Sequence, residues 1–253
     1  MTIKSPEEIA LLRLGGQHLS RILAQVAEAT KAGVTTGELD LLARDLIKQA
    51  GAYPAFLGYA PEGGKTYPAA LCVSINEEVV HGLPGKRKIA NGEVVSLDLG
   101  LRYEGLYTDM ATTIIVGEVA AAVKNLVAKT KEALLAGVAT VKPGTTLGDI
   151  GAAVARVAER EKLAIIRELG GHGVGYAVHE EPLIPNYGTP GKGPKLIAGV
   201  VIAIEPMLAL GKGKAKLAPD GFTYITRDGG LAAHFEATVV VTETGVEVLT
   251  AII

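Results

Sequence analysis

Four carboxylates, Asp98, Asp109, Glu205 and Glu236, are the residues on which chemistry is most readily built. Each stands at one end of an apolar, β-branched run: Val94-Val95-Ser96-Leu97 leads into Asp98, and Asp109 leads into Met110-Ala111-Thr112-Thr113-Ile114-Ile115-Val116. Likewise Val200-Val201-Ile202-Ala203-Ile204 leads into Glu205, and Glu236 leads into Ala237-Thr238-Val239-Val240-Val241. Such runs predict strands. Turn chemistry at Tyr103-Glu104-Gly105 predicts a hairpin that sets Asp98 opposite or almost opposite Asp109, with Cβ atoms about 4.5 to 5.5 Å apart. At about 5 Å and an effective dielectric of about 20, each pair of like charges costs roughly 3 kcal/mol. Four acids gathered at one point make about six such pairs, a sum that rivals the roughly 5 to 15 kcal/mol by which whole proteins are stable. Neutral acids amid Val, Ile and Leu would still be costly to desolvate. Two divalent ions, equal and opposite in charge to the four acids, relieve the repulsion, so a metal site is predicted.

The chain has five histidines. His172 and His179 lie in the glycine-rich segment from Gly170 to Pro182, where glycines permit close backbone approach. That segment reads as a site loop and lacks the fingerprint of a nucleotide-binding turn. His81 sits beside Gly82-Leu83-Pro84-Gly85, a turn within reach of a cleft. His234 shares a strand face with Glu236, and His18 belongs to the first helix. Carboxylates mixed with imidazole suit manganese, iron, cobalt or zinc.

Something must bring acids from distant positions together, and an internal repeat supplies it. Gly33-Val34-Thr35-Thr36-Gly37-Glu38-Leu39 resembles Gly144-Thr145-Thr146-Leu147-Gly148-Asp149-Ile150, offset by 111. The run ending in Asp98 resembles the run ending in Glu205, offset by 107, and the run starting at Asp109 resembles that starting at Glu236, offset by 127. Each half begins with helices. Ser5, Pro6, Glu7 and Glu8 predict a helix start, and apolar residues from Ile9 to Val26 carry the helical period as far as about Thr30. Thr35 with Glu38 has capping-box spacing for a second helix running towards Gly51. The expected fold class is α+β: one domain over residues 1–253, with halves of about 1–117 and 118–253 related by a pseudo-two-fold axis on which a ligand would sit.

Composition removes other classes. With 25 basic and 27 acidic residues the net charge is -2, which offers no long-range field for DNA or an anionic membrane. There is no Trp and there are only 3 Phe, leaving few stacking platforms for single strands. Cys72 is the single cysteine, so neither an internal disulfide nor a cysteine-rich zinc cage can form. The first residues lack a basic segment leading into an apolar stretch, and no apolar run nears the ~20 residues of a membrane span. A cytoplasmic protein is expected.

The pieces Ser74-Ile75-Asn76-Glu77 with His81-Gly82, Leu97-Asp98, Asp109, His172-Gly173 with His179-Glu180-Glu181-Pro182, Ile204-Glu205-Pro206-Met207, Thr226-Arg227-Asp228-Gly229 and Phe235-Glu236 together resemble the type I methionine aminopeptidases, over essentially the whole chain. The resemblance implies the pita-bread fold: two pseudo-symmetric α/β halves around a largely antiparallel curved sheet, with helices on the outer face. It also implies that Asp98, Asp109, His172, Glu205 and Glu236 ligate two divalent ions per chain (cobalt, manganese, iron or zinc), Asp109 and Glu236 bridging them. The implied reaction is hydrolytic removal of the N-terminal methionine from nascent proteins, with small second residues expected. In it Glu205 shuttles a proton, His179 stabilises the oxyanion and His81 bonds the scissile amide. N-termini of nascent polypeptides are the partners, a transient ribosome contact is compatible with that role, and a monomer is expected.

The chain departs from the family pattern at Val178, where an aromatic residue is usual, and in lacking a Trp that some bacterial members place near the pocket. Phe56, Tyr59, Tyr67, Cys72 and Met207 are the expected pocket walls, with Ala60–Thr66 an insertion in that wall. The family's usual Gln-Phe-Glu-His-Thr appears here as His234-Phe235-Glu236-Ala237-Thr238. Two alternatives stay open. One is a prolyl peptidase of the same fold, which usually has an extra N-terminal domain for which the early first repeat leaves no room. The other is a noncatalytic pita-bread binding module, which would typically have lost metal ligands.

Overall fold

The computed structural model describes residues 1–60 and 64–253. The first half starts with helices α1 (Pro6–Ala29) and α2 (Thr36–Gln49), followed by strands β1 (Tyr53–Pro54), β2 (Leu71–Ile75), β3 (Glu78–Val80), β4 (Glu93–Tyr103) and β5 (Leu106–Val116). The second has α3 (Ala121–Ala139) and α4 (Leu147–Arg160), then β6 (Ala164–Ile165), β7 (Gly170–Gly173), β8 (Glu180–Pro185) and β9 (Val201–Ile204). It ends with β10 (Met207–Ala209), β11 (Ala215–Leu217), β12 (Tyr224–Thr226), β13 (Ala232–His234), β14 (Glu236–Val241) and β15 (Val246–Val248).

The starts of α1, α2 and α4 are where the sequence places them, whereas α3 begins at Ala121 without a side-chain cap. Ser5 with Glu8, Thr35 with Glu38 and Thr146 with Asp149 each close a reciprocal capping box. In both halves the loop leading to the central sheet crosses the helix start at backbone distance: Thr35 bridges Lys88, and Thr146 bridges Lys195. A Cβ on Gly37 would lie 2.9 Å from the Gly85 carbonyl oxygen, and one on Gly148 would lie 2.2 Å from that of Thr189. The paired glycines of the repeat are thus required by paired crossings.

One antiparallel sheet unites the halves in the order β1-β4-β5-β14-β9-β7-β8, with β2 also on β4 and β15 also on β14. The halves meet at β5 and β14, where Glu236 pairs with Ala111 and Ala237 with Met110. Beyond those pairs threonine hydroxyls act as clamps. Thr238 Oγ1 donates to the Asp109 carbonyl (2.7 Å) and accepts from the Asp109 N–H (3.0 Å). Thr113 Oγ1 does the same for the backbone of His234, at 2.7 and 2.9 Å.

Alternation along the strands sorts residues to the two faces. Val95, Leu97, Leu99, Leu101 and Met110 pack with α1 and α2 residues in one core, and Ile202, Ile204, Ala237, Val239 and Val241 pack with α3 and α4 residues in another. Ser96, Asp98, Asp109, Ala111, Ala203, Glu236 and Thr238 therefore point to the opposite face. Two further three-stranded sheets, β13-β10-β6 and β11-β12-β3, belong to the same architecture. Among the described residues no helix is long and apolar enough to cross a membrane.

Candidate metal centre

The β4–β5 hairpin turns on Glu104 and Gly105, both at positive φ, which fixes Tyr103 opposite Leu106. Asp109 then faces Gly100, and Asp98 faces Ala111. The two acids are therefore diagonal neighbours on one face, two residues out of step, and not the directly opposed pair that the sequence predicts, because the turn at Glu104 and Gly105 sets the register by pairing Tyr103 with Leu106. The register continues across the sheet. Asp98, Ala111 and Glu236 form one row over β4, β5 and β14, and because Ala237 pairs with Ile204 the next residue, Glu205, lies beside Glu236. The adjacent row runs from Gly100 through Asp109 to Thr238, Ala203 and His172. The small side chains of Ala111, Ala203 and Gly100 separate the larger ones and leave them room to converge.

They do converge. Asp98, Asp109 and Glu236 offer oxygens all within 4.8 Å of one another, as do the ligand atoms of His172, Glu205 and Glu236, and those of Asp109, His172 and His179. Asp109, His172 and Glu236 are each common to two of these groups. Among the described residues Asp98 Oδ1, Asp109 Oδ1 and Glu236 Oε1 are buried without a hydrogen-bond partner, a state that costs roughly 1 to 3 kcal/mol per atom, and more when charged. Burial pushes Asp98 up to about 7, with Glu205 adding to the rise and His234 opposing it. Burial and mutual repulsion hold Asp109 and Glu236 far above the ordinary carboxylate range, and burial does the same for Glu205. Partnerless oxygens converging with an imidazole are the donor set of a divalent transition ion, and the residues fit one.

His172 is oriented for the same task. Its Nδ1 lies 2.9 Å from the Gly173 carbonyl oxygen, to which it donates, so the bare Nε2 faces Glu205 (3.6 Å) and Glu236 (3.7 Å). Gly171 is required here, since a Cβ would meet the Ala203 carbonyl oxygen at 2.2 Å. Burial lowers the His172 pKa to about 4, keeping it neutral. The Glu205 carbonyl is held by Asn186 Nδ2 at 2.9 Å.

Above the acids lies a cavity of about 260 Å³ whose lining includes Phe56, Tyr59, Tyr67, Cys72, His81 and His179. His179 rests its Nδ1 against the Tyr59 hydroxyl at 2.8 Å and stacks edge-on to His172. The cleft walls desolvate it, and with His172 nearby its pKa falls below the usual histidine value. His81, at φ 60°, is drawn down to about 4 by burial, with His179 and His234 adding to the effect. Its loop is anchored by Gly82, whose N–H donates to Ser74 Oγ and which packs so tightly on Val73 that no Cβ would fit. The segment bearing His179 is tied to the chain's start: the wholly buried Lys4 ammonium lies 2.9 Å from Glu180, which also accepts from Thr2 Oγ1.

Met207 does not share the cavity with the other predicted wall residues. The chain turns at Pro206, and Met207 opens β10 in a different sheet, where it packs with Val79, Val80 and Ile166 and borders an adjoining groove. Val178 is buried against Phe56, Tyr67 and Cys72, filling the space behind the wall. Of the Ala60–Thr66 segment, residues 61–63 lie outside the described residues. Sequence reasoning missed Leu217, Phe222 and Tyr224, which enter the cavity from around β11 and β12. Phe222 was the recoverable one, being an aromatic in the Asp220-Gly221-Phe222 turn of a chain that lacks Trp.

Comparison with known proteins agrees with this geometry. Residues 10–243 match the model of metallopeptidase family M24. A methionine aminopeptidase from Aquifex aeolicus is 46% identical over 250 residues, covering 97% of each chain. Methionine aminopeptidase 1 of Bacillus subtilis is 40% identical over 247 residues, covering 98% of each. The crystal structure of a methionine aminopeptidase from Thermotoga maritima superposes with a TM-score of 0.95 at 43% identity, over 99% of both chains. With a family match over residues 10–243, the same fold and nearly complete coverage by its relatives, the chain belongs to metallopeptidase family M24, among its methionine aminopeptidases.

Proposed function

We propose that the protein removes the N-terminal methionine from nascent polypeptides and peptides with small second residues, using two divalent ions held by Asp98, Asp109, His172, Glu205 and Glu236. The observation that carries this reading is the pair of adjacent rows of donors, with partnerless buried oxygens, at the floor of a cavity walled by Phe56, Tyr59, Tyr67, Cys72 and Phe222. Of the three residues common to two donor groups, Asp109 and Glu236 have two carboxylate oxygens to share and would be the bridging ligands, whereas His172 has one free nitrogen and would serve a single ion. The bound ions supply Lewis acidity and acidify water, so that a nucleophile exists at neutral pH.

The chain's own groups do the rest. Glu205, at the rim of the cluster with a side chain 11% exposed, takes the proton of the attacking water and passes it to the leaving amine. The Tyr59 hydroxyl donates to His179 Nδ1, which leaves the proton on Nε2 free to donate to the oxygen that gains charge in the transition state. His81 is neutral above its depressed pKa and contributes an uncharged N–H to the scissile amide. The apolar walls take the methionine side chain. Residues 1–253 act as one domain, since Asp98 and Asp109 come from the first half and His172, Glu205 and Glu236 from the second.

The test is release of methionine from Met-Ala and Met-Pro peptides, set against cleavage of Ala-Pro peptides, with and without chelator. Metal-dependent release from Met-Ala is expected. Preferential cleavage of Ala-Pro would transfer the assignment to a prolyl peptidase, and no turnover with manganese, iron, cobalt or zinc would leave a binding module.

A further inference from the structure

His234 is not among the ligands assigned above, yet it is 1% exposed and neither ring nitrogen has a well-aligned hydrogen-bond partner among the described residues. Its placement follows from the sheet. Ser96 pairs with Thr113, and Thr113 clamps the His234 backbone, so these residues form a third row next to the Asp98-Ala111-Glu236 row and on the same face. The imidazole is therefore aimed at the floor of the cleft. Its Nε2 lies 3.2 Å from Glu205 Oε2, while His172 Nε2 lies 3.6 Å from Glu205 Oε1. Glu205 is bracketed by two imidazoles, but they differ. His172 has committed Nδ1 to a carbonyl and turns a bare nitrogen to the carboxylate; His234 has no other acceptor for a proton.

We infer that His234 is a positioning residue for Glu205: it is a neutral imidazole whose Nε2–H donates to Oε2, so that Oε1 is left facing His172 as the metal-binding oxygen. The tautomer follows from the surroundings. With the proton on Nε2 the buried donor has a carboxylate oxygen 3.2 Å away, which a small turn of either side chain aligns with it; with it on Nδ1, a buried N–H would have no acceptor among the described residues and two lone-pair-bearing atoms would face each other across the same gap. The inference rests on Glu205 being a ligand. Supports of this kind orient ligands and are worth roughly ten- to hundredfold in metal affinity when removed.

The experiment uses the metal-free full chain titrated with Mn²⁺ by calorimetry, for wild type, His234→Leu, His234→Gln and Glu205→Ala, with histidine-selective ¹⁵N spectra of the Zn²⁺-loaded wild type. His234→Leu is expected to bind Mn²⁺ roughly ten- to hundredfold more weakly and to lose kcat with little change in KM. His234→Gln, which keeps an N–H donor, should recover most of the affinity. The wild-type spectrum should show the His234 proton on Nε2, with the resonance identified by its absence from His234→Gln. Wild-type affinity in His234→Leu, equal losses in Leu and Gln variants, a proton on Nδ1, or metal bonded to the His234 ring would each overturn the inference. If His234→Leu does not fold, the tautomer and the Gln variant decide. Wild-type affinity in Glu205→Ala would instead sink the ligand assignment on which the inference stands.

Discussion

Replacing Glu236 by Gln should stabilise the metal-free protein at pH 8 while removing most of the stabilisation that metal confers. The ligand oxygens of Asp98, Asp109 and Glu236 lie within 4.8 Å of one another. At that separation and an effective dielectric of about 20, each ionised pair costs about 3.5 kcal/mol, so an ionised Glu236 would meet about 7 kcal/mol of repulsion from its two neighbours. Protonation caps the cost: holding a proton at pH 8 on a glutamate whose unfolded pKa is about 4.3 requires about 5 kcal/mol. Gln escapes that cost but brings an amide whose imperfect hydrogen bonding takes back roughly 1 to 3 kcal/mol. The net gain is then about 2 to 4 kcal/mol, or roughly 4 to 16 °C in Tm for a chain of this size. The sign reverses with conditions in a defined way. Folded-state carboxylate pKa values raised by burial, with Asp98 at about 7, give stability that is present below the unfolded pKa and lost as pH rises through the folded one. The advantage of Gln should therefore give way near pH 4 to a deficit of roughly 1 to 3 kcal/mol, where only the amide penalty remains, and grow towards pH 8. Thermal unfolding in chelator and in saturating Mn²⁺, at both pH values, measures all of this. A Glu236→Gln protein that melts below wild type in chelator at pH 8, or that gains as much from Mn²⁺ as wild type does, would refute the account of the acids as a repulsive cluster awaiting cations.

Other consequences are as direct. Mn²⁺ binding near pH 7 should release protons, because carboxyls held protonated by burial must ionise to become ligands; calorimetry in buffers of different ionisation enthalpy reads the number. Lys4→Met should cost about 1.5 to 3 kcal/mol by removing the cation from a partly exposed Glu180 that keeps its bonds from Thr2 and the backbone N–H groups of Tyr176 and Ala177, seen as a lower denaturant midpoint, and should lower kcat because the same carboxylate anchors the His179 segment. Tyr59→Phe removes a neutral hydrogen bond from His179 Nδ1, worth about 0.5 to 1.5 kcal/mol, so kcat/KM should fall roughly two- to tenfold with metal affinity unchanged. Asp109→Ala and Glu236→Ala should each abolish methionine release, and near-normal turnover in either would remove its bridging role.

What the sequence made legible was local chemistry and its repetition. Capping boxes at Ser5, Thr35 and Thr146 depend on residues three apart, and strand alternation around Asp98 and Glu236 depends on neighbours, so both survive in the linear order. The pseudo-symmetry told which acids belong together without any knowledge of register. What escaped was whatever depends on register between strands far apart in sequence. The hairpin turn at Glu104 and Gly105 slips Asp98 diagonally from Asp109, whereas Glu205 comes to lie beside Glu236, so the two halves are not equal in detail. Met207 lies on a groove beside His81, His179 and Glu205 and apart from the other wall residues, because Pro206 sends the chain into a second sheet. Phe222 and Tyr224 reach the cavity on a third sheet whose position relative to the first no periodicity encodes.

That inequality between halves has chemical content. A strictly symmetric repeat would give two equivalent poles, each built from the same donors. Here one group is made of carboxylates alone, Asp98, Asp109 and Glu236, and the other joins Glu205 and Glu236 to the neutral imidazole of His172. The first presents hard oxygen donors and more negative charge, the second a borderline nitrogen donor with less charge. The histidine enters through β7, a glycine-rich strand that lies close on Ala203, with no counterpart ring in the first half, where Ser74 pairs with Ser96. Duplication therefore explains why acids converge, and the departures from duplication explain why the converged site has two unlike ends. A peptide arriving with a free amine and a carbonyl also presents two unlike ends, and only a centre that has lost its symmetry can tell them apart.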